Sequence, residues 1–357
     1  MHPPMEDWVR CQAIGQGSSA NVSLAKPANH TSRFPPLIAV KSCHVARSSS
    51  LKNEFTILNE LKGCPEIVEC YGECFTLENS ERLYNVVLEY ACGGSLADKV
   101  KSSENLRLSE SVVRRYTKSI LKGLQFIHRR GFVHCDIKLQ NVLVFSGDNV
   151  KIADFGLAKK ADAAEAAEGF DTKYEVRGTP LYMSPETVSG GEQGPAADVW
   201  AVGCVVSEMI SGKPAWRCTD IGALLMKIGS GDDIPAIPGK LSDVGKDFLG
   251  KCFEKDVSKR WTAEMLLNHP FMDGEDEFPS NSPRNPFDFP EWESERWDMV
   301  TVTTTTTKSF SSPELESWAG VEACVSTASR LQQLVVEERP DWFFTSSWIT
   351  VREPQFS

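Results

Sequence analysis

The chain starts without the apolar run of a secretory leader, since Met1-His2-Pro3-Pro4-Met5-Glu6-Asp7 is polar and proline-rich; export is therefore not expected. It lacks a glycine after the initiator methionine, where His2 stands, and this argues against N-myristoylation. Long hydrophobic runs are also missing. The longest, Val199–Ile210, is too short for a bilayer and contains Glu208. Eleven cysteines are scattered with no Cys-x-x-Cys pair. Cys70 and Cys74 come nearest to a ligand pair, but no second pair accompanies them. Reduced and mostly buried thiols, such as Cys43 and Cys204 in apolar runs, are the expected state. Positive charge is scarce as well. Residues 272–357 hold 16 Asp/Glu against 6 Lys/Arg, a net of −10, which leaves −1 of the total −11 for the first 271 residues. An acidic tail on a near-neutral domain argues against nucleic acid and anionic membranes as partners. The expected protein is soluble and intracellular, in the cytoplasm with the nucleus as a second compartment.

What is present is enough for a large core. At 357 residues and 41% hydrophobic content, two lobes or a domain with an extension are expected. The most informative stretch is His134-Cys135-Asp136-Ile137-Lys138-Leu139-Gln140-Asn141, followed by Val150-Lys151-Ile152-Ala153-Asp154-Phe155-Gly156. Either piece alone also admits the lesser reading of an Asp/Asn turn between two strands, Val142–Phe145 and Val150–Ala153. Together, and with what flanks them, they resemble the catalytic loop and metal-binding motif of eukaryotic protein kinases. The chemistry explains the spacing. Phosphoryl transfer needs a carboxylate to take the acceptor hydroxyl proton (Asp136), a cation near the transferred group (Lys138), and oxygen ligands for Mg²⁺ (Asn141 and Asp154).

The order of the other motifs agrees. Ile14-Gly15-Gln16-Gly17-Ser18-Ser19-Ala20-Asn21-Val22 resembles a kinase glycine-rich loop, with Ala20 where a third glycine is common. Gly15 and Gly17 let the backbone approach ATP phosphates. Leu37–Lys41 reads as a strand ending in a lysine. Leu51, Phe55, Leu58 and Leu61 then mark one face of a helix over 51–62, which makes Glu54 the natural partner of Lys41. Val86–Tyr90 reads as an apolar strand leading to Ala91-Cys92-Gly93-Gly94-Ser95-Leu96. The resemblance implies that this stretch connects the lobes, with Leu88 at the back of the nucleotide pocket. It implies that backbone groups of Glu89 and Ala91 meet the adenine edge, and that Ile14, Gly15, Gln16, Gly17, Ser18, Val22, Ala39 and Lys41 line the rest of the ATP site.

Ser109 to Arg130 reads as a helix, capped by Ser109 and closed by Gly131, with Val113, Tyr116, Ile120, Leu124 and Ile127 buried. From Asp154 to Ser184-Pro185-Glu186 the chain resembles a kinase activation segment. A short helical turn is expected within 161–168, and Thr179 of Gly178-Thr179-Pro180 is expected to touch Asp136 and Lys138. The resemblance further implies that Asp198 caps the catalytic-loop backbone and that Arg260 pairs with Glu186. Trp261, standing where proline is usual, changes packing rather than chemistry.

The implied fold is α+β: a two-lobed protein kinase fold with a β-rich small lobe, a mostly helical large lobe and a C-terminal tail. The expected boundaries are 1–7 for an N-terminal extension, 8–271 for the kinase domain and 272–357 for an acidic, largely disordered regulatory tail. A candidate helix near 320–338 carries Val321, Cys324, Val325, Ala328, Leu331 and Val335 on one face. It and the following Trp342-Phe343-Phe344 either dock back on the kinase or recruit regulatory proteins. Asp136-x-Lys138 with Gly178-Thr179-Pro180 implies Ser/Thr acceptors. Neutral Ser95 and Gln140, where arginine-directed kinases usually carry glutamate, argue against an arginine requirement. The opening Trp8-Val9-Arg10, the 91–96 connection and the 134–138 loop are similar to short plant MAP kinase kinase kinases of the MEKK-like group. That similarity implies MAP kinase kinases as substrates, in abscisic acid or stress signalling. The competing reading is a pseudokinase scaffold acting through its tail. Intact Lys41, Glu54, Asp136, Asn141 and Asp154 weigh against it. Cys135 departs from the usual arginine before the catalytic aspartate, so a phosphate on Thr172 would lack its usual partner and the segment is expected to order without one.

Overall fold

The computed structural model describes residues 8–17, 20–29, 34–161, 177–190, 193–218, 220–230 and 233–273. Ser18, Thr172, the 161–168 turn beyond Ala161, the tail and its candidate helix lie outside the described residues.

The amino-terminal part is a five-stranded antiparallel sheet, β1 (Trp8–Gln16), β2 (Asn21–Pro27), β3 (Ile38–His44), β4 (Cys70–Glu78) and β5 (Glu81–Glu89), in the order β1-β2-β3-β5-β4. Helix α1 (Ser49–Glu60) packs on it. β3 is central, and Ile38 and Val40 bury on one face while Ala39 buries on the other, as the two-residue period of a strand requires. Lys41 does not end the strand as its sequence suggested. Pairing with β5 continues through Ser42, Cys43 and His44, because the Ser42 hydroxyl finds Asn85 at 2.7 Å and this polar residue can be buried at no loss. β5 likewise begins five residues before the apolar run. Asn79 and Ser80, with φ of 49° and 65°, make a two-residue hairpin turn that fixes the register Glu78 opposite Glu81. Helix α1 starts at Ser49 and ends at Glu60, two residues earlier at each end than the apolar spacing indicates.

The second lobe is mostly helical: α2 (Leu96–Ser102), α3 (Glu110–Arg129), α4 (Pro185–Val188), α5 (Pro195–Ser211), α6 (Ile221–Ser230), α7 (Asp243–Cys252) and α8 (Ala263–Leu267). Two short two-stranded pieces complete it. β7 (Val142–Val144) pairs with β8 (Val150–Ile152), and β6 (Phe132–Val133) pairs with β9 (Lys159–Lys160). α3 follows its expected limits: Ser109 accepts a hydrogen bond from the Val112 N–H, Gly131 takes φ +75°, and all five expected apolar residues are buried. α5 is buried around nearly its whole circumference. Gly203 is needed in its middle, since a Cβ there would lie 2.6 Å from the Phe253 ring. That ring stacks edge-on against fully buried Trp200.

Behind α5, Arg260 is sealed from solvent. Nη1 and Nη2 donate to the two oxygens of Glu186 at 2.6 and 3.0 Å, Nη1 also reaches Ala196 O, and Nε reaches Glu254 O. Trp261 fills its position by packing edge-on against His269, with the Lys251 ammonium over its ring. Ten cysteines are described, all free thiols. Cys43, Cys70, Cys135, Cys204 and Cys252 are buried, but Cys11, Cys92 and Cys218 are exposed, on strand and loop positions where no core forms. "Mostly buried" therefore overstated the sequence pattern. Among the described residues no helix is long and apolar enough to cross a membrane, and no cluster of three or more His, Cys, Asp or Glu could hold a metal.

Candidate active site

β1 and β2 form the upper wall of a cleft. Gly15 stands opposite Val22 and Gln16 opposite Asn21, with Ile14 just before them, and the Gly17 N–H closes the turn onto Ala20 O at 2.9 Å. Val22 pairs across the sheet with Lys41, and Ala39 pairs with Leu88. Opposed residues and i, i+2 residues share a face, so Val22, Ala39, Lys41 and Leu88 make one mostly apolar platform ending in an ammonium. At the edge of the platform the Glu89 N–H is committed to Glu69 O, so the group it can offer a ligand is its carbonyl. The Glu89 carboxylate takes the Lys151 ammonium at 2.6 Å. Ala91 follows at the start of the connection to α2.

Lys41 Nζ lies 2.6 Å from Glu54 Oε2 and 2.8 Å from Asp154 Oδ1. Burial alone would depress this ammonium, but the two carboxylates outweigh it and hold its pKa above the usual lysine range. Burial would raise Asp154, yet the Lys41 charge holds that carboxyl below the usual range. Glu54 is only 1% exposed, whereas the Asp154 side chain remains 42% exposed. One carboxylate thus fixes the lysine, and the other faces the cleft. Asp154 adopts φ +64°, a left-handed conformation that Asp tolerates better than most residues.

Across the cleft, the Asp136 carboxylate is held by three donors. Thr179 Oγ1 donates to Oδ1 at 2.8 Å, Asn141 Nδ2 to Oδ2 at 2.7 Å, and Lys138 Nζ sits 2.9 Å from Oδ2, while the Asp136 N–H itself donates to His134 Nδ1 at 3.2 Å. Lys138 also donates to Thr179 Oγ1 at 3.0 Å. Because His134 accepts at Nδ1, its Nε2 carries the proton that goes to Ala153 O. Asn141 spends its amide nitrogen on Asp136 Oδ2 and the Asp136 carbonyl, which leaves its oxygen for another ligand. Burial pushes the Asp136 carboxyl up, with Lys138 pulling the other way. The loop itself hangs from α5: Asp198 accepts the main-chain N–H of His134 and of Cys135, both at 2.9 Å, and His128 Nε2 lies at the same distance.

The structure therefore brings together Lys41, Glu54 and Asp154 as one group, and Asp136, Lys138, Asn141 and Thr179 as another. Of the expected catalytic, ATP-site and metal-site residues, Ser18 lies outside the described residues, as does Thr172 of the activation segment. Three participants carried no sequence signal. Ser50 Oγ and Asn53 Nδ2 of α1 donate to Gly156 O and Ala158 O, tying the helix to the segment after Asp154. Gln193 Nε2 donates to Cys135 O and Arg177 O. Asparagine, serine and glutamine before or within a polar helix turn look like ordinary solvent-facing residues.

The donor set suits a nucleotide and a hard cation. An Asp carboxylate and an Asn oxygen are the ligand types that a divalent metal accepts when phosphate and water fill its other positions, and glycines at 15 and 17 leave a phosphate-sized approach to the backbone. A protein kinase domain model matches residues 8–272; the chain belongs to the protein kinase family, with the ATP and divalent-metal use that membership carries. More particularly, it is 47% identical to mitogen-activated protein kinase kinase kinase 20 of Arabidopsis thaliana, over 97% of this chain and 100% of the relative. Identity is 40% to mitogen-activated protein kinase kinase kinase 17 of the same plant, over 74% of this chain and 69% of that one. Human mitogen-activated protein kinase kinase kinase 3 matches at 36%, over 74% of this chain and 42% of the relative. The chain is a Ser/Thr protein kinase of the MAP kinase kinase kinase group.

Proposed function

We propose that this kinase phosphorylates MAP kinase kinases on Ser or Thr of their activation loops, using ATP with Mg²⁺. The observation that carries the reading is the triangle of Asp136, Lys138 and Thr179, which joins the base to the floor of the acceptor site. In this reading Asp136 accepts the proton of the incoming hydroxyl, and Lys138 offsets charge gathering on the transferred group. Lys41, steadied by Glu54, orients the nucleotide phosphates, and Asn141 with Asp154 would hold Mg²⁺. The metal would supply charge neutralisation at the phosphates. Ile14, Gly15, Gln16, Gly17, Ser18 and Val22 would cover the nucleotide from above. Ala39 and Leu88 would pack on the base, with Glu89 and Ala91 offering backbone contacts.

An arginine requirement in the substrate finds no support near α2. The Ser95 hydroxyl caps that helix, and the Asp98 carboxylate next to it is engaged by the Ser95 N–H and hydroxyl. The test is Mg-dependent transfer of labelled phosphate from ATP to kinase-dead MAP kinase kinases, alongside a peptide library. Transfer to activation-loop Ser/Thr is expected, with little gain from arginine three residues before the acceptor. A profile dominated by that arginine, or no transfer to any MAP kinase kinase, would overturn the reading. Regulation through the acidic tail, a role in abscisic acid or stress signalling, and residence in the cytoplasm and nucleus belong to the same proposal and rest on likeness to the plant group.

Activation without phosphate is a further expectation. Cys135 is buried, with its thiol pushed far up by burial and by Asp198, so it carries no charge; the positive charges bearing on it come from Lys159 and Arg177. Phosphatase-treated enzyme and Thr172→Ala should each keep most of the transfer activity. Loss of nearly all of it would mean that Lys159 and Arg177 serve a phosphate in place of residue 135.

A further inference from the structure

The peptide at Cys135 is where three separate pieces of chain converge. Cys135 is not glycine, yet its φ is +67°. Such a backbone persists only where its surroundings fix it. Its N–H is fixed by Asp198. Its carbonyl meets Gly178, φ +114°, so closely that a Cβ there would lie 2.5 Å from the oxygen. The same carbonyl accepts a hydrogen bond from Gln193 Nε2 at 3.4 Å, and the other proton of that amide goes to Arg177 O at 3.1 Å. Both partners are carbonyls, so the nitrogen, not the oxygen, of the Gln193 amide must face them. One uncharged side chain from the loop before α5 thus joins the peptide before Asp136 to the peptide before Gly178. The next residue, Thr179, is the one that bonds Asp136 and Lys138.

We propose that Gln193 is a positioning residue for phosphoryl transfer: its amide clips the carbonyls of Cys135 and Arg177 together and so sets Thr179, the floor of the acceptor site, against Asp136. The clip touches neither nucleotide nor acceptor. It acts on the distance between the base and the platform that presents the hydroxyl, and such distances are costly to lose, since a displacement of about 1 Å can reduce rate by ~10²-fold. Glutamine suits the task because its NH₂ has two donors for two acceptors. Glutamate of the same shape has none when ionised and would set its charge against two carbonyl oxygens. Methionine fills similar space with no donor. Lysine reaches as far and keeps the donors. The donor count, rather than bulk, should decide the outcome.

This inference rests on the kinase reading above, and the experiment separates the two. Gln193→Met, Gln193→Glu and Gln193→Lys are compared with wild type for kcat and KM on a protein acceptor, for affinity toward a non-hydrolysable ATP analogue, and for amide exchange over residues 177–182. Gln193→Met and Gln193→Glu should lower kcat by roughly 10-fold or more at unchanged analogue affinity, with faster exchange at Gly178 and Thr179; Gln193→Lys should stay within about 3-fold of wild type. The clip is overturned if the Met and Glu variants keep wild-type kcat, if all three variants lose kcat equally, or if exchange over 177–182 is unchanged in Gln193→Met. A wild-type enzyme that binds the analogue but transfers nothing to protein would refute the kinase reading alone, and the exchange comparison would still decide the role of Gln193.

Discussion

Asp136→Asn is expected to lower turnover by roughly 10²–10⁴-fold, the range for losing a general base, with nucleotide affinity close to that of wild type. The amide cannot take the acceptor proton, but its oxygen can keep the Oδ2 place between Lys138 Nζ and Asn141 Nδ2 while its NH₂ group turns to the Thr179 hydroxyl, which can accept. The loss therefore falls on the chemical step rather than on the packing of the site. Lys41→Met should also remove most activity, but by a different route. It leaves the Asp136 cluster untouched, and it removes the ammonium that pairs with both Glu54 and Asp154. pH profiles distinguish the variants. The base works deprotonated, and burial raises its pKa, so wild-type kcat/KM should fall as pH drops through a value above the ordinary Asp range. Asp136→Asn should show no such acid limb, whereas residual Lys41→Met activity should retain it. Near-wild-type turnover in both variants would remove the mechanism.

The second large effect is on stability. Arg260→Met is expected to destabilise the domain by roughly 3–5 kcal/mol, the usual cost of stranding one member of a buried ion pair. Arg260 is fully enclosed and Glu186 nearly so. Removing the guanidinium leaves the Glu186 carboxylate and the carbonyls of Ala196 and Glu254 without that donor. For a domain of this size the midpoint of thermal unfolding should drop on the order of 10 °C, measurable by calorimetry with and without ATP analogue. The double variant Arg260→Met with Glu186→Leu should recover part of the loss, since an apolar pair needs no compensation. Equal melting of wild type and Arg260→Met would show that the pair contributes little.

Motif residues and helix α3 were legible in the sequence because short-range chemistry dictates them. In the proposed mechanism an Asp accepts a proton and an Asn and an Asp meet a cation, tasks for which few residues can substitute. α3 announces itself by an apolar period, a serine cap and a terminal glycine. The ends of β3 and β5 were not legible: Ser42 and Asn85 look like loop residues until each is found to satisfy the other across the sheet. The anchors Ser50, Asn53 and Gln193 escaped for a related reason. Each acts on a backbone carbonyl far away in the chain, and a carbonyl leaves no mark on residue identity. Arg260 and Glu186 could be paired only through family likeness, since 74 residues separate them.

Asp198 and Gln193 both hold residue 135 by its peptide and leave its side chain out of the arrangement. Position 135 therefore behaves as a socket with an interchangeable insert. Both anchors grip main-chain atoms, so they do not depend on the identity of the side chain at 135. Cysteine suits the socket because it is small, buried and uncharged; a charged residue in its place would need a partner of opposite sign.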